Sequence, residues 1–190
     1  MKKFFVKQNK AFTLVETLVA IAIFSTSLLG LMSVLASSIS GTTYAKQKMV
    51  ADYLAQEGIE TIRNMRDSFV LYSTNGQTGW TAFNTKLTGS SCQSASGCYY
   101  NIDNIFSISP PQPMTKISLA ACGVSCATLL YDSSSGKYNY TSGVASGFVR
   151  KIQITQVSAD DTRISSVVSW KQGSSNYNIN FSEDLFNWVE

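Results

Sequence analysis

Between Thr17 and Ala45 the chain carries no charged side chain, and inside that stretch Leu18 to Ala36 reads LVAIAIFSTSLLGLMSVLA. That is about the 20 apolar residues needed to cross the hydrocarbon core of a bilayer. Such a run must lie in lipid or among other apolar helices, which sets the rest of the reading. On its N-terminal side stand Lys2, Lys3, Lys7 and Lys10, with no acid before Glu16. By the positive-inside rule that end stays in the cytoplasm and the C-terminal bulk lies outside. Removing these four lysines from the 15 basic residues leaves 11 against 12 acidic ones, so the net charge of +3 belongs to the N-terminus. A domain that grips nucleic acid through phosphates would keep its excess charge in the folded part, so nucleic acid is not an expected partner.

An ordinary secretory signal has an apolar region of about 7 to 15 residues and a small-residue cut on its far side. The run here is longer, and Glu16 stands at its entrance. A carboxylate within a membrane costs roughly 2.5 to 3.5 kcal/mol even on the lenient scale, and less at the interface, so it calls for a partner or a cap. The helical pattern then continues beyond the apolar run. Ala51, Leu54, Ala55, Gly58, Ile59, Ile62 and Met65 fall on one face, with Asp52, Gln56, Glu57, Glu60, Arg63 and Asn64 opposite. No proline interrupts Phe12 to Arg66, which predicts one helix of about 80 Å at 1.5 Å per residue, uniformly apolar first and amphipathic afterwards.

Residues 68–115 are rich in Ser, Thr, Asn, Gly and Gln, with Pro110, Pro111 and Pro113, and are read as mostly loop with short ordered pieces. The C-terminal part alternates. Phe148, Arg150, Ile152 and Ile154 share one phase, Ile164, Ser166, Val168 and Trp170 another, and Tyr177, Ile179 and Phe181 follow. The turn-forming stretches Ser158-Ala159-Asp160-Asp161 and Gln172-Gly173-Ser174-Ser175 suit antiparallel neighbours, and a further hairpin is expected over residues 129–140. The chain of 190 residues holds one domain and an appendage. The expected class is α+β, with a long N-terminal helix, transmembrane in its first half, packed through its second half on a C-terminal antiparallel sheet.

Lys10-Ala11-Phe12-Thr13-Leu14-Val15-Glu16-Thr17-Leu18-Val19-Ala20 resembles the processing motif of type IV prepilins and type II secretion pseudopilins. The resemblance covers the basic leader, the junction, the Phe-Thr-Leu-Val-Glu sequence and the apolar helix, roughly the first third of the chain. It implies a type IV pilin-like fold, cleavage between Ala11 and Phe12 by a prepilin peptidase, and methylation of the new Phe12 amine. The family usually has glycine where Ala11 stands; alanine is also small. The resemblance further implies that Glu16 pairs with the Phe12 amine of a neighbouring subunit on assembly, since a charge left alone in an apolar bundle costs more than a paired one. The alternative is a carboxylate capping the positive end of its own helix.

The implied organisation is a leader at 1–11, an assembly and transmembrane half at 12–44, an amphipathic half at 45–67, and a sheet domain with disulfide-containing loops at 68–190. The implied partners are other pilin or pseudopilin subunits, prepilin peptidase, the inner-membrane assembly platform, and membrane lipid before assembly. The implied location is the inner (cytoplasmic) membrane, single-pass with its N-terminus in the cytoplasm, and then a filament outside the cytoplasm. The ending Leu185-Phe186-Asn187-Trp188, the strand closing in Trp170, and residues 16–24 are most like a minor pilin, with a minor pseudopilin of a type II secretion system as the alternative.

Four cysteines stand as Cys92 and Cys98, then Cys122 and Cys126. Outside the cytoplasm an even count reads as disulfides, and three pairings are open. Pairing within each couple is preferred because the chain already holds it close. A four-thiolate zinc site is the alternative, at spacings unlike the usual knuckles. A membrane-anchored periplasmic enzyme is the competing class. Without histidine it would use paired carboxylates, Asp160-Asp161 or Glu183-Asp184, which a turn and a strand end also explain. No enzyme activity, cofactor or metal is expected.

Overall fold

The computed structural model describes residues 13–72, 78–102 and 114–187. Helix α1 (Leu14–Tyr72) is followed by α2 (Gly79–Gly89) and by strands β1 (Cys98–Asn101), β2 (Ser118–Ala121), β3 (Thr128–Asp132), β4 (Lys137–Asn139), β5 (Val144–Ser158), β6 (Asp161–Gln172) and β7 (Ser175–Phe186). This is an α+β layout with one antiparallel sheet. The chain divides into two compact units, Met1–Ala45 and Lys46–Glu190.

In the first unit every residue from 13 to 43 is exposed. Several of its hydroxyls are satisfied inside the helix: Thr26 and Ser27 donate to the carbonyl of Ile23 at 2.9 and 2.8 Å, and Thr42 and Thr43 to those of Ser38 and Ile39 at 2.9 and 3.0 Å. A polar side chain bonded to its own helix leaves no free donor to face hydrocarbon, so these residues are compatible with a helix in lipid.

In the second unit β5, β6 and β7 form a meander. β6 lies between β5 and β7, and the opposite edge of β5 is shared by β3 near Val144–Val149 and by β1 at Ile152. β2 and β4 extend these two branches. The side chains of one phase, Phe148, Arg150, Ile152 and Ile154 with Ile164, Ser166, Val168 and Trp170, are buried. Over them lies the predicted stripe of α1, in which Ala51, Leu54, Ala55, Gly58, Ile59, Ile62 and Met65 are buried. Fully burying one aliphatic side chain stabilises the fold by about 1.5 to 3 kcal/mol, which makes this contact the main support of the second unit. At Gly58 helix and sheet approach closely. A Cβ there would stand 2.2 Å from Ser166 Oγ and 3.1 Å from Ile152 Cδ1.

Two readings of residues 68–115 are corrected. The amphipathic half of α1, expected to end at residue 67, runs on to Tyr72, and the stretch read as mostly loop with short ordered pieces contains the 11-residue helix α2 as well as β1. Thr78 caps α2, its Oγ1 accepting from the Thr81 amide at 3.2 Å. Trp80, Phe83 and Leu87 then recur at helical spacing and are buried. Phe83 meets Phe69 of α1 with ring centroids 6.5 Å apart, and Trp80 Nε1 donates to Ala159 O at 2.7 Å. The polar composition hid this helix because only three large apolar residues mark its inner face. The turn expected near Asp132 joins β3 to β4, where the Asp132 carboxylate accepts from Ser134 N at 2.9 Å and Gly136 takes φ 70°.

Candidate assembly helix, buried arginine and disulfide loops

Ala11 and Phe12 lie outside the described residues. From Thr13 onward the helix start has the geometry of a capped N-terminus. Thr13 Oγ1 accepts from Glu16 N at 3.3 Å, and Thr13 O accepts from Glu16 N and Thr17 N at 3.0 and 3.2 Å. Thr13 therefore caps the helix from one side only, and Glu16 stands in the first turn, where a carboxylate meets the positive end of the helix dipole. Among the described residues none pairs with the Glu16 carboxylate, and the side chains that follow, from Leu18 through Ile39, are exposed. What this helix offers chemically is one carboxylate at the head of a long uncovered apolar surface.

The arginines that a nucleic-acid interface would use are ion-paired within the fold. Arg150 is only 2% exposed; its Nη1 sits 3.2 Å from Glu57 Oε2 and donates to Leu54 O at 3.3 Å, while the guanidinium lies 4.2 Å from the centroid of the Tyr100 ring. Burial opposes its charge, yet Tyr100 and Glu57 outweigh that cost and hold its pKa above the ordinary value. Burial likewise pushes the Tyr100 phenol up. Strand alternation places Arg150 on the inner face, but nothing in the sequence marks the carboxylate and ring that receive it. Arg63 is bonded to both Glu60 and Glu183, and Arg66 to Asp67.

The carboxylate pairs weighed for catalysis do not converge. Glu183 is taken by Arg63, and its neighbour Asp184 accepts two bonds from Arg163, at 2.7 and 3.0 Å, directly across the β6 and β7 ladder. The Arg163 guanidinium holds the Asp184 carboxyl below the usual carboxylate range. Asp160 lies in the turn between β5 and β6, where its backbone carbonyl and carboxylate accept from Asn187 at 2.9 and 3.1 Å.

Cys92 is joined to Cys98 and Cys122 to Cys126, with Cα separations of 4.7 and 4.4 Å. All four are buried, and with each sulfur bonded to another none is a thiolate ligand. The two loops adjoin. Cys98 stands opposite Ala121, Cys122 N donates to Gly97 O at 2.9 Å, and Ile154 N donates to Cys92 O at 3.1 Å. The disulfides close these loops, and backbone pairing at Ile152 and Ile154 holds the first of them against the middle of β5. Among the described residues no group of three or more His, Cys, Asp or Glu side chains is placed to hold a metal ion.

No curated protein and no solved structure matches the chain. Residues 6–32 match the prokaryotic N-terminal methylation motif, which takes in the lysine-bearing junction, Glu16 and the first half of the apolar run. The chain therefore carries the prepilin-type signal of type IV pilins and pseudopilins, on a helix long and apolar enough to cross a membrane and ahead, in sequence, of an antiparallel sheet.

Proposed function

We propose that this chain is a minor subunit of a type IV pilus. Prepilin peptidase cuts it between Ala11 and Phe12 and methylates the Phe12 amine, and the chain then leaves the inner membrane for the filament through α1. It enters the membrane once, with its lysine-bearing end in the cytoplasm. The observation that carries this reading is the motif at residues 6–32 together with Glu16 in the first turn of a helix whose apolar side chains find no cover within their own unit. Neighbouring stems supply that cover, and the Phe12 amine of a neighbour supplies the counter-charge for Glu16. The chain acts as a structural element, since the carboxylates that an enzyme would use are committed to Arg63 and Arg163 or stand at a turn. The resemblance of its C-terminal end to minor pilins favours a minor over a major subunit.

Processing is read by mass spectrometry of the chain expressed with a prepilin peptidase. The expected product begins at Phe12 and carries one added methyl group; an intact Met1 overturns the reading. Assembly is read with Glu16→Ala, measured in sheared filaments against the membrane pool. Reduced incorporation at a normal membrane level is expected. A capping role alone would cost only about 0.3 to 1 kcal/mol of helix stability and leave incorporation unchanged. Recovery of the chain in secretion pseudopili and not in surface pili would move it to the alternative system.

A further inference from the structure

The long edge of the sheet is β7. The opposite side ends in β2 and β4, of 4 and 3 residues, whereas β7 runs for 12 residues and among the described residues pairs only with β6. Its register with β6 is unbroken from Gln172 and Ser175 to Asp161 and Phe186. The two-residue turn, with Gly173 at φ 59°, makes Gln172 and Ser175 a hydrogen-bonded pair. By antiparallel alternation the odd-numbered residues of β7 then bond to β6, and the peptide groups of Asn176, Asn178, Asn180 and Ser182 point away from it. Proteins usually blunt such an edge with proline, lysine, a bulge or an unpaired inward charge. SNYNINFSEDLF contains no proline or lysine, its ladder has no bulge, and its charges are not left without a partner: Asp184 pairs with Arg163, while Glu183 shares the single Arg63 guanidinium with Glu60, which leaves that trio one negative charge in excess.

Beside this edge the inner face is open. Phe181 is only partly buried, and between it and α1 lies a groove of about 610 Å³ whose walls include Tyr53, Gln56, Ile59 and Glu60. Glu57, Glu60 and Glu183 bring three carboxylates to this groove against the Arg63 guanidinium.

We propose that β7 takes up an extended strand of another polypeptide by edge addition, a strand with apolar residues at alternate positions and a Lys or Arg where it passes Glu60 and Glu183. The backbone of an open edge recognises a strand through ladder bonds, and alternate side chains give the specificity. An added strand lies about 4.8 Å beyond β7, which sets its inward side chains over the groove beside Phe181.

The full-length chain in detergent micelles is titrated with the synthetic peptide Thr-Val-Thr-Lys-Thr-Val-Thr, and amide exchange is followed residue by residue, a readout that involves no filament assembly. Exchange at Asn178, Asn180 and Ser182 is expected to slow about tenfold at saturation. Asn180→Pro removes one outward donor without touching the bonds to β6 and should weaken binding about fivefold. Continued protection of Ile179 and Phe181 certifies that the ladder is intact. Should that protection fall, methylating alternate peptide nitrogens of the probe asks the same question from the other side and should weaken binding equally. Replacing the lysine of the probe by glutamate should weaken binding about threefold or more. No slowing at millimolar peptide, equal binding by the N-methylated probe, or a bound peptide that is helical overturns the proposal. Protection that rises with protein concentration in the absence of peptide assigns the edge to a second copy and overturns it as well.

Discussion

Ile23 and Ile62 stand on the same helix, yet Ile23 is 62% exposed and Ile62 is 0% exposed. The residue type and local geometry are the same; what differs is where the covering surface comes from. Around Ile62 the chain supplies its own cover in the sheet and α2, so burial stabilises the monomer. Around Ile23 the cover must come from lipid or other subunits, so the same side chain stabilises only membrane insertion or assembly. The contrast shows that one continuous secondary element can divide its apolar surface between folding and association, with the change falling near Ala45.

The contrast is tested most severely by exchanging the same residue in both places. Ile62→Ala should destabilise the sheet domain by about 2 to 5 kcal/mol. Ile23→Ala should leave its thermal unfolding unchanged and lower only membrane retention or filament incorporation. Calorimetry of both variants in micelles decides, and a comparable loss of domain stability in Ile23→Ala would abolish the distinction. A smaller effect is expected of glycines. Gly58→Ala forces a methyl group against Ser166 and should cost about 1 to 3 kcal/mol, whereas Gly30→Ala, with nothing within 4 Å, should raise helix stability by up to about 1 kcal/mol. If the two substitutions behave alike in denaturant titrations, the close approach of α1 to the sheet at Gly58 is not a packing constraint.

Reduction of the disulfides should act only on the sheet domain. Each closes a short loop, with sequence separations of 6 and 4, so each adds less than the roughly 3 kcal/mol of a 15-residue loop. Chemical denaturation with and without reductant should show a modest fall in midpoint, and exchange should quicken first in β1 and β2. Loss of α1 protection between Ala51 and Met65 before that of β1 would count against this order.

The smallest expected effect is that of pH. Asp132 is held below the usual carboxylate range chiefly by the Ser134 hydroxyl, and Asp184 by Arg163. A carboxyl depressed in the folded state adds stability that is present above its unfolded pKa of about 4 and is lost as pH falls through the folded value. The melting temperature should therefore be flat with respect to these two groups between about pH 5 and 8 and fall slightly below pH 4. Asp184→Asn should remove part of that slope, and an unchanged slope would show the ion pair to be silent, as exposed pairs often are.

Residues 14–65 are legible in the sequence because their signals are local. An apolar run of membrane length and the periodic stripe from Ala51 to Met65 each follow from spacing along a single helix. The β5, β6 and β7 meander is legible for the same reason, since alternation and short turns specify antiparallel neighbours. α2 and β1 are not, because their few apolar residues carry weight only once Phe69, Phe83 and Tyr100 meet in one core. The destination of Arg150 is equally out of reach: alternation turns it inward, but its partners Glu57 and Tyr100 are separated from it in sequence and meet it only when α1 lies across the sheet. Local period and composition determined which segments form helix or strand and which of them leaves apolar surface for other molecules. Tertiary structure decided which charges are buried, which carboxylates are neutralised and which sheet edge stays open, because those properties depend on distances between residues far apart in the chain.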